Sequence, residues 1–154
     1  MPQLVDEIKI PIIAAGGIMD GRGIVASITL GVVGVQMGTA FLSCLESGIH
    51  SKYKQALLKL KQDNTILTRA FSGKLARAIH NKFITRMDSN KANILDYPIQ
   101  NALTRIMRKE AEKQGCTDFM SMWAGQSSQL SRGIGALNLI NQLVCEVDDI
   151  LKKQ

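Results

Sequence analysis

Two stretches of the chain are apolar without alternation, and one helix length of amphipathic sequence separates them. The first, Ile10-Pro11-Ile12-Ile13-Ala14-Ala15, has the pattern of a strand covered on both faces in a parallel sheet. Pro11 fits that strand only near its beginning, where no ladder hydrogen bond is lost. Val32-Val33-Gly34-Val35-Gln36-Met37 is the second strand. Between them Asp20 predicts an N-cap for a helix over 21–30, with Ile24, Val25 and Ile28 on one face and Gly31 at its end. Strand, helix and returning strand make a βαβ unit, whose crossover is right-handed almost without exception.

Beyond Thr39 the pattern turns mostly helical. Ile49, Tyr53, Ala56, Leu57 and Leu60 recur at helical spacing, which predicts an amphipathic helix over 47–61. Asp63-Asn64 reads as a loop, and the β-branched run over 65–71 as a strand ending at Ser72-Gly73. Pro98 introduces a helix over 99–114, with Leu103, Ile106 and Met107 on one face and Gly115 as its stop. A last helix over 135–152 carries a stripe of Leu137, Ile140, Leu143 or Val144, Val147, and Ile150 or Leu151. These helices read as packing elements.

The candidate chemistry lies where the two apolar strands end. Ala15-Gly16-Gly17-Ile18 closes the first and Gln36-Met37-Gly38-Thr39 the second. Glycine lets backbone N–H groups approach a ligand closely, and successive N–H groups in such loops form an anion-binding concavity. Both loops follow the C-terminal ends of parallel strands. In an α/β barrel that end is the functional face, and the loops after the last two strands commonly bind phosphate.

These residues also carry a resemblance. The run Ile10 to Gly23, with Ala15-Gly16-Gly17-Ile18-Met19-Asp20-Gly21-Arg22-Gly23 at its centre, is similar to the nitronate monooxygenases, formerly called 2-nitropropane dioxygenases. The likeness continues through Gly34-Val35-Gln36-Met37-Gly38-Thr39-Ala40-Phe41-Leu42, Leu67-Thr68-Arg69-Ala70-Phe71-Ser72-Gly73-Lys74-Leu75-Ala76-Arg77, Asn81, and Trp123-Ala124-Gly125-Gln126. It implies a (β/α)8 barrel that binds FMN. Gly16 and Gly17 would present N–H groups to the FMN phosphate, and Gln36, Met37, Gly38 and Thr39 would form the second wall, Thr39 adding its hydroxyl. Aligned N–H dipoles favour an anion without any cation.

A complete barrel usually needs about 250 residues, whereas this chain has 154. The resemblance therefore implies a C-terminal fragment holding the last two barrel strands and a mostly helical tail. On that reading residues 1–62 are a partial barrel with the phosphate loops, and residues 63–154 a mainly helical region packed at the barrel. The family reaction is oxidation of an alkyl nitronate by dioxygen to a carbonyl compound and nitrite. Its histidine base comes from the preceding part of the barrel, so no catalytic residue is assigned here and the fragment alone is expected to be inactive. His50 reads as a surface imidazole at a helix start, and His80 as structural or at an edge where ligand passes. Two other readings stay open: a related FMN-dependent enoyl-thioester reductase, and a non-catalytic fragment. Trp123 with Gln126 reads either as a wall near the flavin or as a plug in the helical region.

Composition narrows the partners. Hydrophobic residues are 45% and charged residues 21%, the balance of an ordinary globular domain. No uncharged run reaches the length of a membrane span, and no secretory signal pattern opens the chain. Cys44, Cys116 and Cys145 are widely spaced with no Cys-x-x-Cys pair, which argues for reduced thiols rather than a disulfide framework or a metal site. Cytoplasmic placement is the expectation. The net charge of +6 is spread along the chain without a nucleic-acid motif, so nucleic acid is not an expected partner. The expected partners are a small nitronate and dioxygen, together with self-association or pairing with the rest of the barrel across two unpaired strand edges.

Overall fold

The computed structural model describes residues 1–153. In chain order it runs α1 (Pro2–Glu7), β1 (Ile13–Ala15), α2 (Gly21–Thr29), β2 (Gly34–Gln36), α3 (Thr39–Leu42), α4 (Ser51–Leu58), β3 (Thr65–Thr68), β4 (Ala76–Ile79), α5 (Lys82–Asp88), α6 (Ile99–Gln114) and α7 (Ala136–Leu151). Single 3-10 turns lie at Lys91–Asn93 and Ser128–Leu130. The chain divides into two units, Met1–Gly48 with the segment from Ser127 onward, and Ile49–Gln126. A boundary at residues 62 and 63, expected from sequence, is not where the contacts divide. The reason is that α7 returns to pack on α2 instead of joining the middle of the chain.

In the first unit β1 and β2 pair in parallel, with Ile13, Ala14 and Ala15 opposite Gly34, Val35 and Gln36. The crossover is α2, started where the sequence predicts: the Gly23 N–H donates to Asp20 Oδ1 at 2.9 Å. Gly31 follows the helix with φ +94°, the left-handed conformation that ends helices. Met19, Ala40, Cys44, Leu139 and Leu143 form the core, and Ile24, Met37 and Phe41 pack against it.

Three expectations need correction here. Ala14 is buried, but Ile13 is 61% exposed, so β1 is covered on one face only. Ile28 does not join Val25 inside: it is 51% exposed, whereas Ile24 packs against the core that holds Leu139 and Leu143 of α7. On α7 the buried pair is Leu139 and Leu143, while Leu137, Ile140, Val144 and Leu151 point outward. Close helix approach fixes that rotation: Gly21 lies so near α7 that a Cβ there would stand 2.5 Å from Glu146 Cβ.

The second unit holds the antiparallel hairpin of β3 and β4, in register from Thr65 opposite Ile79 to Thr68 opposite Ala76. The strand expected over 65–71 thus stops at Thr68. Ala70 and Phe71 instead enter a core with Ala78 and Ile84. Helix α6 has the predicted bounds and ends at Gly115, φ +64°. Its buried face differs from the expected one: Leu103 and Ile106 are exposed, whereas Gln100, Thr104 and Ala111 are buried. Gln100 Nε2 donates to the Ala70 carbonyl at 2.7 Å and Thr104 Oγ1 to the Phe71 carbonyl at 2.5 Å. Buried loop carbonyls need such donors, and that need turns the polar side of α6 inward.

Candidate functional site

Because Ala15 and Gln36 are register partners, the chain leaves the two strands side by side, about 4.8 Å apart. Gly16-Gly17 continues from β1 and Met37-Gly38-Thr39 from β2. Gly16 and Gly17 have φ of +103° and +72°, a region that costs other residues about 1–2 kcal/mol. Gly16, Gly17, Gln36 and Gly38 are exposed, and Met37 and Thr39 half-buried. A Cβ built on Gly16 or on Gly38 would meet no atom within 4 Å. The glycines at the two strand ends therefore border open space.

Gly38 stands at the start of α3, its carbonyl accepting from Phe41 N–H at 3.0 Å and Leu42 N–H at 3.3 Å. Among the described residues, the N–H groups of Gly17 and Gly38 donate to no other group. One donor on each loop is thus uncommitted.

A third segment reaches the same place, one that sequence reasoning passed over. A Cβ on Gly17 would lie 3.5 Å from Ser127 Oγ. The turn that follows Ser127 packs on α3 and is anchored by Ser43, whose hydroxyl donates to the Arg132 carbonyl at 3.0 Å. Within it the Ser128 and Ser131 hydroxyl oxygens are buried without a hydrogen-bond partner. The Ser127 hydroxyl beside the Gly17 backbone suits an anionic ligand. The only sequence signal was Ser127-Ser128 following Gly125-Gln126, and chain distance from the glycine loops hid its relevance.

Charges close by are paired. Asp20 is nearly buried; burial pushes its carboxyl up, but the Gly23 N–H, the Arg22 guanidinium and the Arg132 charge outweigh this and hold it below the ordinary value. Arg22 Nη2 lies 2.6 Å from Asp20, and Arg132 Nη2 lies 2.6 Å from Glu146. Asp20 and Glu146 also line a cavity of about 370 Å3 with Arg22, Leu130, Arg132, Asp149 and Ile150. These pairs orient α2 and α7.

The remaining sequence candidates lie in the other unit. His50 caps α4, its Nδ1 accepting from Lys52 N–H at 3.1 Å. His80 Nε2 lies 3.2 Å from the Thr85 hydroxyl. Trp123 stacks edge-on against Phe71 at 5.7 Å, bridges Ala78, and accepts at its carbonyl from the Tyr53 hydroxyl. That is the plug reading. Cys44, Cys116 and Cys145 form no disulfide among the described residues. No group of histidine, cysteine or carboxylate side chains that could hold a metal occurs among the described residues. No helix among them is long and apolar enough to cross a membrane.

Comparison with known proteins bears on this geometry. The nitronate monooxygenase family profile matches residues 1–146. The chain belongs to the nitronate monooxygenase family. It is 48% identical over 153 residues to a probable nitronate monooxygenase of Staphylococcus saprophyticus, and 46% identical over 152 residues to one of Staphylococcus aureus strain Newman. Each match covers 99% of this chain and 43% of the relative, so the chain spans less than half the length of these family members.

Among solved structures it is similar to nitroalkane oxidase from Streptomyces ansochromogenes, with a TM-score of 0.92 and 36% identity over 99% of this chain and 43% of that one. It is also similar to FabK from Thermotoga maritima, with a TM-score of 0.83 and 30% identity over 99% of this chain and 49% of that one. As part of this oxidoreductase family, the βαβ unit of β1, α2 and β2 is an α/β arrangement consistent with part of a barrel.

Proposed function

We propose that these residues are the phosphate-binding portion of an FMN-dependent nitronate monooxygenase, a (β/α)8 barrel of which β1 and β2 are the last two strands. The supporting observation is the pair of uncommitted N–H groups, Gly17 and Gly38, on loops that leave neighbouring parallel strands beside open space. The monophosphate of FMN would rest against Gly16 and Gly17 on one side and Gln36, Met37, Gly38 and Thr39 on the other. Ser127 would close the third side. Bound FMN would supply the redox chemistry for oxidising an alkyl nitronate with dioxygen to a carbonyl compound and nitrite.

This chain's part is to bind and orient. Positive-φ backbone at Gly16 and Gly17 fixes the direction of the first loop, while α2 and α7 hold the strand ends in place. His50 Nδ1 and His80 Nε2 each make a structural contact, which supports assigning the proton-handling group to the rest of the barrel. These 154 residues alone would turn over no nitronate. Three widely spaced cysteines, Cys44, Cys116 and Cys145, with no Cys-x-x-Cys pair suit a reducing, cytoplasmic compartment.

The reading is tested by combining the chain with the rest of a family barrel and supplying FMN. A yellow protein that releases nitrite from an alkyl nitronate is expected. The second reading, an enoyl-thioester reductase, predicts instead NADH-dependent reduction of an enoyl thioester. The higher TM-score and identity of the nitroalkane oxidase likeness favour the first. A colourless assembly inactive on both substrates would leave a non-catalytic fragment.

A further inference from the structure

We infer that the unit Ile49–Gln126 binds a small phosphate monoester, in a cavity of about 390 Å3 where Arg105, Arg108 and Lys109 of α6 take the phosphate and Ile49, Tyr53 and Met120 take its apolar body. The inference goes beyond the flavin reading and does not rest on it, because every residue lining the cavity belongs to this unit.

One face of α6 supplies the first argument. Asn101, Arg105, Arg108, Lys109 and Glu112 recur at spacings of three and four, so they share a side of the helix, and all of them line the cavity. Like charges at those spacings repel. No carboxylate relieves them: among the described residues Arg105, Arg108 and Lys109 form no ion pair. Nearby acids are engaged elsewhere, Glu110 by Lys113 at 3.7 Å and Asp118 by Lys82 at 2.7 Å. Glu112 is the single acidic side chain of the lining, so cations outnumber it three to one.

Arg108 is held in place before any ligand arrives. Its Nε donates to Thr104 Oγ1 at 3.1 Å, and its Nη2 to the Asn101 carbonyl at 3.0 Å and to Asn101 Oδ1 at 2.7 Å. Thr104 is itself buried and donates to the Phe71 carbonyl. One edge of the guanidinium is thus fixed to neutral oxygens, while Nη1 donates to no group among the described residues. Burial pulls this guanidinium below the ordinary arginine range, with no anion beside it to offset the cost. A phosphate oxygen at Nη1 would supply that anion. The Ser121 hydroxyl, also in the lining, is a further uncommitted donor.

The other wall sets what the phosphate is attached to. Tyr53 and Met120 are buried and Ile49 half-buried. The Tyr53 hydroxyl already donates to the Trp123 carbonyl, so these residues offer a ligand ring and aliphatic surface. Small-molecule clefts span about 300–1,000 Å3, and this one falls within that range. Cations gathered in one concavity suit a small dianion, whereas a nucleic-acid backbone calls for a stripe of them.

The test titrates the full 154-residue chain, free of flavin and in phosphate-free buffer, with phenyl phosphate followed by calorimetry. Saturable binding is expected, with inorganic phosphate weaker and phenol not measurably bound. Arg105→Gln combined with Lys109→Gln removes two exposed cations and should weaken phenyl phosphate at least tenfold, with an unchanged circular dichroism spectrum. Arg108→Lys keeps the charge but loses the fork, and should weaken it severalfold. Gly38→Ala, in the other unit, should leave this affinity unchanged. Equal affinity in wild type and the double variant would overturn the proposal, as would phenol or inorganic phosphate binding as tightly as phenyl phosphate. So would binding that Gly38→Ala removes and the double variant keeps, or a single-stranded oligonucleotide bound where phenyl phosphate is not.

Discussion

Replacing Gly21 with alanine strikes the contact that holds α2, and with it the loop at Gly16 and Gly17, against α7. Gly21 opens α2, and its N–H donates to Glu146 Oε2 at 2.8 Å. A Cβ there would lie 2.5 Å from Glu146 Cβ and 2.9 Å from both the Glu146 carbonyl carbon and the Val147 nitrogen. Comfortable carbon contacts are about 3.5–4.0 Å, so the helices must separate by about 1 Å. Overpacking of this kind costs about 1–3 kcal/mol. The weakened hydrogen bond to a carboxylate adds about 1 kcal/mol, and alanine's better helix propensity returns about 0.5–1 kcal/mol. A net loss of about 2 kcal/mol corresponds to about 4–8 °C in Tm for a chain of this size.

Gly48→Ala is the control, since a Cβ there meets nothing within 4 Å, and its expected effect is within about 0.5 kcal/mol. Thermal melts followed by circular dichroism, with both variants in parallel, provide the assay. Equal Tm values for Gly21→Ala and Gly48→Ala would refute the idea that close α2 and α7 contact fixes the loop.

Other expectations follow from particular contacts. Asp20→Asn keeps an N-cap acceptor but removes the charge whose carboxyl is held below the ordinary value of 3.8. That charge contributes stability above pH 4, lost as pH falls through the folded value, so the variant should lose less stability between pH 5 and pH 3 in urea melts; parallel pH profiles would contradict this. Thr104→Val leaves the Phe71 carbonyl without its buried donor and should lower stability by about 1–3 kcal/mol, read by the same melts. The chain by itself should elute from size-exclusion columns as self-associated material, given its open strand edges. A clean monomer would count against that.

How much of this was legible in the sequence depended on how local each signal was. The Asp20 cap, the Gly31 and Gly115 helix ends and the bounds of α6 all come from chemistry within a turn, and each stands where the residues indicate. Faces were harder to read. Leu103 and Ile106 look like a core stripe, yet α6 turns Gln100 and Thr104 inward because the Ala70 and Phe71 carbonyls need donors. On α7 the close approach at Gly21 selects Leu139 and Leu143 over Leu137 and Ile140. The run from Ile10 to Ala15 is apolar on both faces, but this unit covers one.

The glycine loops were visible in the sequence because each ends a strand, and strand pairing alone makes them neighbours. Ser127 was not, since nothing local tells a serine after Gly125-Gln126 that it will stand beside Gly17. Its position is set by α7 folding back on α2.

The most direct measurement concerns Gly38. Its φ is −101° and a Cβ there meets no atom of the protein within 4 Å, so Gly38→Ala should leave the melting temperature unchanged and burden only a ligand lying against the loop. Flavin fluorescence titration of the assembled barrel, wild type against Gly38→Ala, should show FMN affinity falling by about tenfold or more, equivalent to about 1.4 kcal/mol. Equal affinities with equal stabilities would mean that the phosphate does not rest on this pair of strand ends.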